Sequence, residues 1–336
     1  MTTETAPPPP PHLRPPTALP YHRLTRLERR TSRWWRPLTT VAVALAVFVV
    51  LILLASGALM LASLLVPWLP EPSDLDTFAL DNPTDMLLTF GMLALMIPAV
   101  LLGARWGGGR SRILHSVAGR LRWSMMLRAA AVLVPLYAAV YWGSFLLDPP
   151  DDAAVPRFDA MLVAGLAVCV ALVPLQCAAE EYAFRGLPQQ VLGTWLRSPL
   201  WGIVLPVPLF MLGHGYDWVG QVDIAVFALC MGFLVWKSGG LELAIAVHTA
   251  NNLTLLLAAP FSPSSLDQGA VDPATLLISV PLTLVSTAGL ALWFSRVHGL
   301  RPFEPLRGTG GAQTVPAPDA LPREARPPRP SEHMCR

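Results

Sequence analysis

The chain has 336 residues, of which 53% are hydrophobic and only 14% charged, and its formal net charge is +2. Those proportions exclude an ordinary water-soluble domain. With no basic patch interleaved with exposed aromatics, they also argue against nucleic acid as a partner.

In chain order, residues 1–40 form a Pro- and Arg-rich tail with a proline run at 7–11, expected to be disordered and cytoplasmic. Apolar runs of about 20 residues read as membrane helices. Eight such runs follow, at 41–66, 86–104, 127–147, 158–184, 198–214, 222–237, 241–259 and 275–295. The expected fold class is therefore all-α, a polytopic membrane bundle of about eight transmembrane helices. Pro206 and Pro208 interrupt the fifth run, which predicts a kink rather than the loss of the span. The runs group into a three-helix N-terminal membrane region at 41–150 and a core at 151–300, with a second disordered cytoplasmic tail at 301–336. The first apolar run is too long for a cleavable signal peptide. Cys169, Cys177 and Cys230 fall in apolar runs as small hydrophobes, and with Cys335 in the tail they give no disulfide framework.

Loop charges alternate. Arg23, Arg26, Arg33 and Arg36 precede the first span; Arg105, Arg110, Arg112, Arg120 and Arg122 follow the second; Arg197, Lys237, Arg296, Arg301 and Arg307 mark later loops of the same side. The opposite loops carry Glu71, Asp74, Asp76, Asp81, Asp148, Asp151, Asp152, Asp217, Asp267 and Asp272. Lys and Arg enrichment marks the cytoplasmic face, so both termini are expected there, in agreement with an even number of spans. Trp34, Trp35, Trp68, Trp106, Trp142, Trp201 and Trp218 lie near span ends, as an interfacial belt does.

Three polar patterns interrupt the apolar second half. The first is Glu180-Glu181, with Arg185 following. Between residues 161 and 179 every side chain but Gln176 is apolar or small, so the two carboxylates end a membrane-length run. Ionisable groups in that position are functional-site candidates. On a helix Glu181 and Arg185 share a face and pair, while Glu180 points about 100° away, free for acid–base work. The competing reading puts both glutamates beyond the membrane, paired with Arg185 and Arg197. The second pattern is Phe210 and His214, four apart, which places the phenyl ring beside the imidazole. The third is His248 and Asn252, again four apart, a pair suited to donating hydrogen bonds to an oxyanion or holding a metal or water. Interfacial histidine and inter-helix polar packing are the bland readings of the last two.

Together these patterns, EExxxR, FxxxH and HxxxN on separate apolar runs, resemble the CPBP family. It comprises type II CAAX prenyl proteases (Rce1-like) and bacteriocin-processing intramembrane proteases, and is also called the Abi family. The resemblance covers about residues 158–260, with Thr249 a mild departure where the family often has alanine. It implies an intramembrane endopeptidase acting on a membrane-embedded or lipidated peptide. Glu180 would activate a water, His214 would orient it, and His248 with Asn252 would stabilise the oxyanion. Glu181, Arg185 and Phe210 would brace the site. Glu180, His214 and His248 also make a ligand count that suits a catalytic zinc site, so a divalent metal and metal-free glutamate catalysis both stand open. The Arg-rich, Lys-poor composition points to a bacterial cell membrane; substrate identity and oligomeric state do not follow. A straight fifth helix would carry His214 roughly 20 Å in, past Glu180 and His248, unless the prolines bend it. Two other classes compete: a non-catalytic membrane scaffold or immunity-type protein of the same fold, and a transporter. Against the transporter, the polar groups are confined to one half.

Overall fold

The computed structural model describes residues 18–28, 31–66, 70, 72–73, 82–262, 264 and 269–311. The proline run at 7–11, Trp68, the acidic residues Glu71, Asp74, Asp76, Asp81 and Asp267, and the tail beyond 311 with Cys335 lie outside these residues.

The protein is an integral membrane helix bundle. Seven helices are long and apolar enough to cross a bilayer. They are α1 (Arg36–Leu65), α2 (Pro83–Gly108), α3 (Trp123–Leu147), α4 (Ala160–Trp195), α7 (Trp218–Ser238), α8 (Glu242–Ala258, extended to Phe261) and α9 (Leu276–His298, preceded by a turn from Pro273). Where the fifth span was expected there are two five-residue helices, α5 (Leu200–Val204) and α6 (Val207–Met211). Pro206 and Pro208 remove backbone donors and crowd the preceding turn, so one continuous helix cannot form. The pair still carries the chain across the bundle. At one end Arg197 accepts from His22 of the N-terminal segment; at the other the Asp217 amide bonds to Gly269.

Both described ends of the chain meet at one end of the bundle. A two-residue strand β1 (Leu19–Pro20) pairs antiparallel with β2 (Arg307–Gly308). Lys237, fully buried, donates to the carbonyls of Arg301 and Glu304, both at 2.6 Å. The expected disorder of 1–40 and 301–336 therefore gives way to packed structure at 18–28 and 301–311. There Tyr21 and Leu24 on a 3-10 turn (Tyr21–Leu27) are buried, an apolar contribution that the surrounding Pro and Arg content masks. Gly193 on α4 admits this turn, since a Cβ there would lie 1.6 Å from the His22 carbonyl oxygen.

Two features set the position of α8. The reversal between α7 and α8 uses Gly239 at φ 70°, in the left-handed region open to glycine. Arg122, at the start of α3, then grips the first turn of α8: its Nη2 donates to Glu242 Oε2 at 2.6 Å, Nε to Oε1 at 2.8 Å, and Nη1 to the Ser238 carbonyl at 3.0 Å. α8 runs between α3 and α4, so the third span belongs to the surroundings of the core helices rather than to a separate N-terminal layer. α1 instead presents Val49, Val50, Leu53 and Leu54 outward, as a lipid-facing helix does. Cys169, Cys177 and Cys230 are buried and unpaired.

The docked N-terminal turn has a titratable pin. His22 is buried, its Nε2 donates to the Arg197 carbonyl at 3.0 Å, and its Nδ1 has no partner. Burial lowers its pKa, with the Arg197 carbonyl opposing and Arg23 adding to the shift. The native state thus binds fewer protons than the unfolded one, and docking weakens as the pH falls below the ordinary histidine value of about 6.5. Cleavage by trypsin after Arg23 and Arg26, measured relative to a His22→Gln variant at each pH, is expected to rise below that value. A flat ratio from pH 8 to 5 would remove His22 from this role.

Candidate active site

The site is built where α4, α6, α7 and α8 converge. α4 carries Glu180 and Glu181 to the point where its helix widens into a π turn (Tyr182–Gly186), a local expansion often found at functional sites. Glu180 is 8% exposed, Glu181 0%, Arg185 2% and His248 3%. The carboxylates are therefore enclosed by protein, and Arg197, exposed, pairs with neither.

His248 bridges both glutamates. Its Nδ1–H donates to Glu181 Oε1 at 2.8 Å, and its Nε2 lies 3.5 Å from Glu180 Oε2. The two carboxylates diverge around α4 as the helix requires, and the imidazole fits between them because its two nitrogens also diverge. Glu181 Oε1 meets Arg185 Nη1 at 3.3 Å as well. The Arg185 guanidinium lies 3.9 Å over the Phe210 ring and 6.0 Å from that of Phe227, which shields its charge with two aromatic faces.

Phe210 does more than the spacing predicts. Its ring is 4.8 Å from that of His214, as expected, and 6.4 Å from that of His248. The break at Pro206 brings Phe210 level with Arg185, so the bend keeps His214 beside the site instead of carrying it past. His214 is half-buried, and its Nδ1–H donates to the Phe210 carbonyl at 2.9 Å, leaving Nε2 free. The Phe210 ring packs against both imidazoles, and among the described residues no hydrogen bond joins His214 to Glu180 or His248.

Asn252 is half-buried, one turn beyond His248. Its Oδ1 accepts from Asn251 Nδ2 at 3.0 Å, and among the described residues its own Nδ2–H group is unengaged. The proposed metal set of Glu180, His214 and His248 does not converge. Among the described residues no three His, Cys, Asp or Glu side chains are placed to hold a metal ion. His214 commits its Nδ1 to the Phe210 carbonyl, and these donors do not form a shared site for an ion.

Several contributors escaped the sequence. Gln176 Nε2 donates to Glu180 Oε1 at 2.6 Å, while its Oε1 accepts from the Cys177 thiol at 3.4 Å. Its signal was present: it is the one amide in an apolar run, four residues before Glu180. Phe227, whose ring lies 5.0 Å from that of His248, had no signal on an apolar helix. The Tyr182 hydroxyl bonds His115, tying the basic loop to α4 just past Glu181.

The buried Glu181–Arg185 pair makes a stability prediction. Arg185→Met alone leaves Glu181 buried without its cation, at a cost of about 3–5 kcal/mol. Glu181→Gln combined with Arg185→Met removes both charges and should recover much of that loss, read as thermal unfolding in detergent. A double variant as unstable as the sum of its singles would refute the coupling.

Residues 160–254 match the profile of the family described as type II CAAX prenyl endopeptidase Rce1-like. The chain is also 28% identical over 195 residues to YyaK of Bacillus subtilis (strain 168), an uncharacterized protein, in an alignment covering 55% of this chain and 64% of YyaK. The chain thus spans a little under two thirds of that relative's length. No solved structure matches. The matched segment holds all three polar patterns, on the helices that converge here.

Proposed function

We propose that the protein is an intramembrane endopeptidase that hydrolyses a peptide bond in a membrane-embedded or lipidated peptide. The observation that carries this reading is the buried pair of Glu180 Oε2, which has no hydrogen-bond partner, and His248 Nε2, 3.5 Å away. The gap is too wide for a direct hydrogen bond, and side-chain movement that opens it would admit a water about 2.8 Å from each atom. In a neutral ring whose Nδ1–H is committed to Glu181, Nε2 is an acceptor. The water then donates one hydrogen to Glu180 and the other to Nε2, and turns a lone pair toward the substrate.

In the reaction the water oxygen bonds to the peptide carbonyl carbon, its proton passes to Glu180, and the carbonyl π pair becomes the oxyanion. Asn252 Nδ2–H is the donor available to that oxyanion. Collapse of the intermediate breaks the C–N bond, and Glu180 returns the proton to the leaving amine. This geometry favours His248 as the group that orients the water, leaving the oxyanion to Asn252. His214, whose Nδ1 is held by the Phe210 carbonyl, is assigned to the peptide rather than to the water. Gln176 holds one oxygen of Glu180 so that the other faces His248. No step is routed through a metal.

The basic end of the bundle, where both described chain ends meet, is assigned to the cytoplasm of a bacterial cell by the Arg and Lys rule. His248 lies about 9 Å from the start of α8 at that end, so substrate and water approach from the cytoplasmic half.

The test compares membrane-associated peptides from cells expressing wild type, Glu180→Gln and Gln176→Leu at equal abundance. Cleavage ends present only with wild type are expected. Glu180→Gln should slow their formation by about 10²–10⁴-fold, the usual worth of a general base. Gln176→Leu should fall between. Identical peptide profiles for wild type and Glu180→Gln would instead support a non-catalytic membrane scaffold.

A further inference from the structure

α3 lies outside the segment that matches the family, yet one of its side chains reaches the site. The Tyr141 hydroxyl donates to Asn251 Oδ1 at 2.7 Å, and Asn251 Nδ2 donates to Asn252 Oδ1 at 3.0 Å. Each member gives a hydrogen to the next, and the chain ends on the unengaged Nδ2–H group of Asn252. α3 is held at this register by Trp142, whose Nε1 donates to the Thr254 carbonyl at 3.2 Å.

We infer that Tyr141 and Asn251 are positioning residues that fix which end of the Asn252 amide faces the reaction. A primary amide is nearly symmetric in shape, with a donor on one side and an acceptor on the other. Turned one way, Asn252 stabilises an oxyanion; turned the other, it places its own oxygen against the negative charge and opposes the reaction. The two orientations of Asn252 are tied to those of Asn251, because a flipped Asn251 offers an oxygen where Asn252 now accepts. Asn251 is in turn set by Tyr141, since a phenol is a stronger donor than acceptor and selects the amide oxygen. The polarity of the whole series is therefore decided at its far end, on a helix with no catalytic group. Successive hydrogen bonds of one direction also strengthen each other in a low-dielectric interior.

The inference rests on the peptidase reading for its purpose, although not for its geometry, and the experiment separates the two. The chain contains only three asparagines, Asn82, Asn251 and Asn252, so the full-length protein labelled with 15N-asparagine gives three side-chain NH2 pairs. Tyr141→Phe is expected to shift the Asn251 and Asn252 pairs and leave that of Asn82 in place. On a synthetic peptide spanning a cleavage end that distinguishes wild type from Glu180→Gln, in lipid vesicles, Tyr141→Phe should lower kcat by about tenfold. That is less than the 10²–10³-fold typical of losing an oxyanion donor outright, because the amide still spends part of its time correctly turned. KM should not change. In an Asn252→Ala background the same substitution should cost nothing further. Unmoved Asn252 signals overturn the relay whatever the activity. Shifted signals with unchanged kcat, or additive losses with Asn252→Ala, overturn its role in the reaction. If wild type cleaves nothing, the peptidase reading fails, and the amide signals alone decide whether Tyr141 sets the orientation.

Discussion

The structure depends on one imidazole held between two adjacent carboxylates. Among the described residues, His248 on α8 and Glu180-Glu181 on α4 form the charged link between these two helices inside the apolar core, and the other site residues are arranged around it. A charge taken out of water costs several kcal/mol even after relaxation. Here that cost is offset unequally. Glu181 receives an imidazole N–H and a guanidinium, while Glu180 receives a single amide from Gln176 on one oxygen. The unequal treatment gives the two carboxylates different surroundings, although they are neighbours in sequence.

Such a link tolerates little displacement, and the fold supplies anchors on both sides of it. α8 is fixed at its start by Arg122 and Glu242, six residues before His248, and α4 is fixed beyond Arg185 by the docked turn at Tyr21–Leu27. The prolines of the fifth segment act in the same sense. A straight helix would have swept Phe210 past the guanidinium; the break stops it there, and the aromatic face reduces the solvation that Arg185 loses on burial.

Much of this was legible in the sequence because it follows from local arithmetic. Membrane-length apolar runs gave the bundle, and i, i+4 spacing placed Arg185 with Glu181 and Phe210 with His214. Prolines marked the break, although the extent of it depended on how α5 packs against its neighbours. What could not be read was anything decided between helices. Spacing leaves Glu180 free, but it does not say that one imidazole would span both glutamates. Tyr141 sits more than 100 residues from Asn251 on an apolar helix, and nothing local distinguishes it from an interfacial tyrosine. The buried turn around Tyr21 was hidden for a different reason: its few apolar residues are diluted by arginines and prolines that serve the tail around it.

The placement of polar groups along the helices explains why an apolar bundle keeps such a site without collapsing it. Side chains whose every polar atom is satisfied gain nothing by binding a substrate. Glu180 Oε2 is buried without a hydrogen-bond partner, as are Glu181 Oε2 and both Arg185 Nη atoms. Glu180 Oε1, the Nδ1 atoms of His214 and His248, and Asn252 Oδ1 each hold a hydrogen bond. An unpaired buried polar atom costs about 1–3 kcal/mol, and opposite charge nearby offsets part of that cost. Arg185 Nη1, 3.3 Å from Glu181 Oε1, supplies such an offset to Glu181, whereas among the described residues Glu180 has no cation placed as close. On the proposed reading, a water and a peptide carbonyl would engage Glu180 Oε2 and the Asn252 amide.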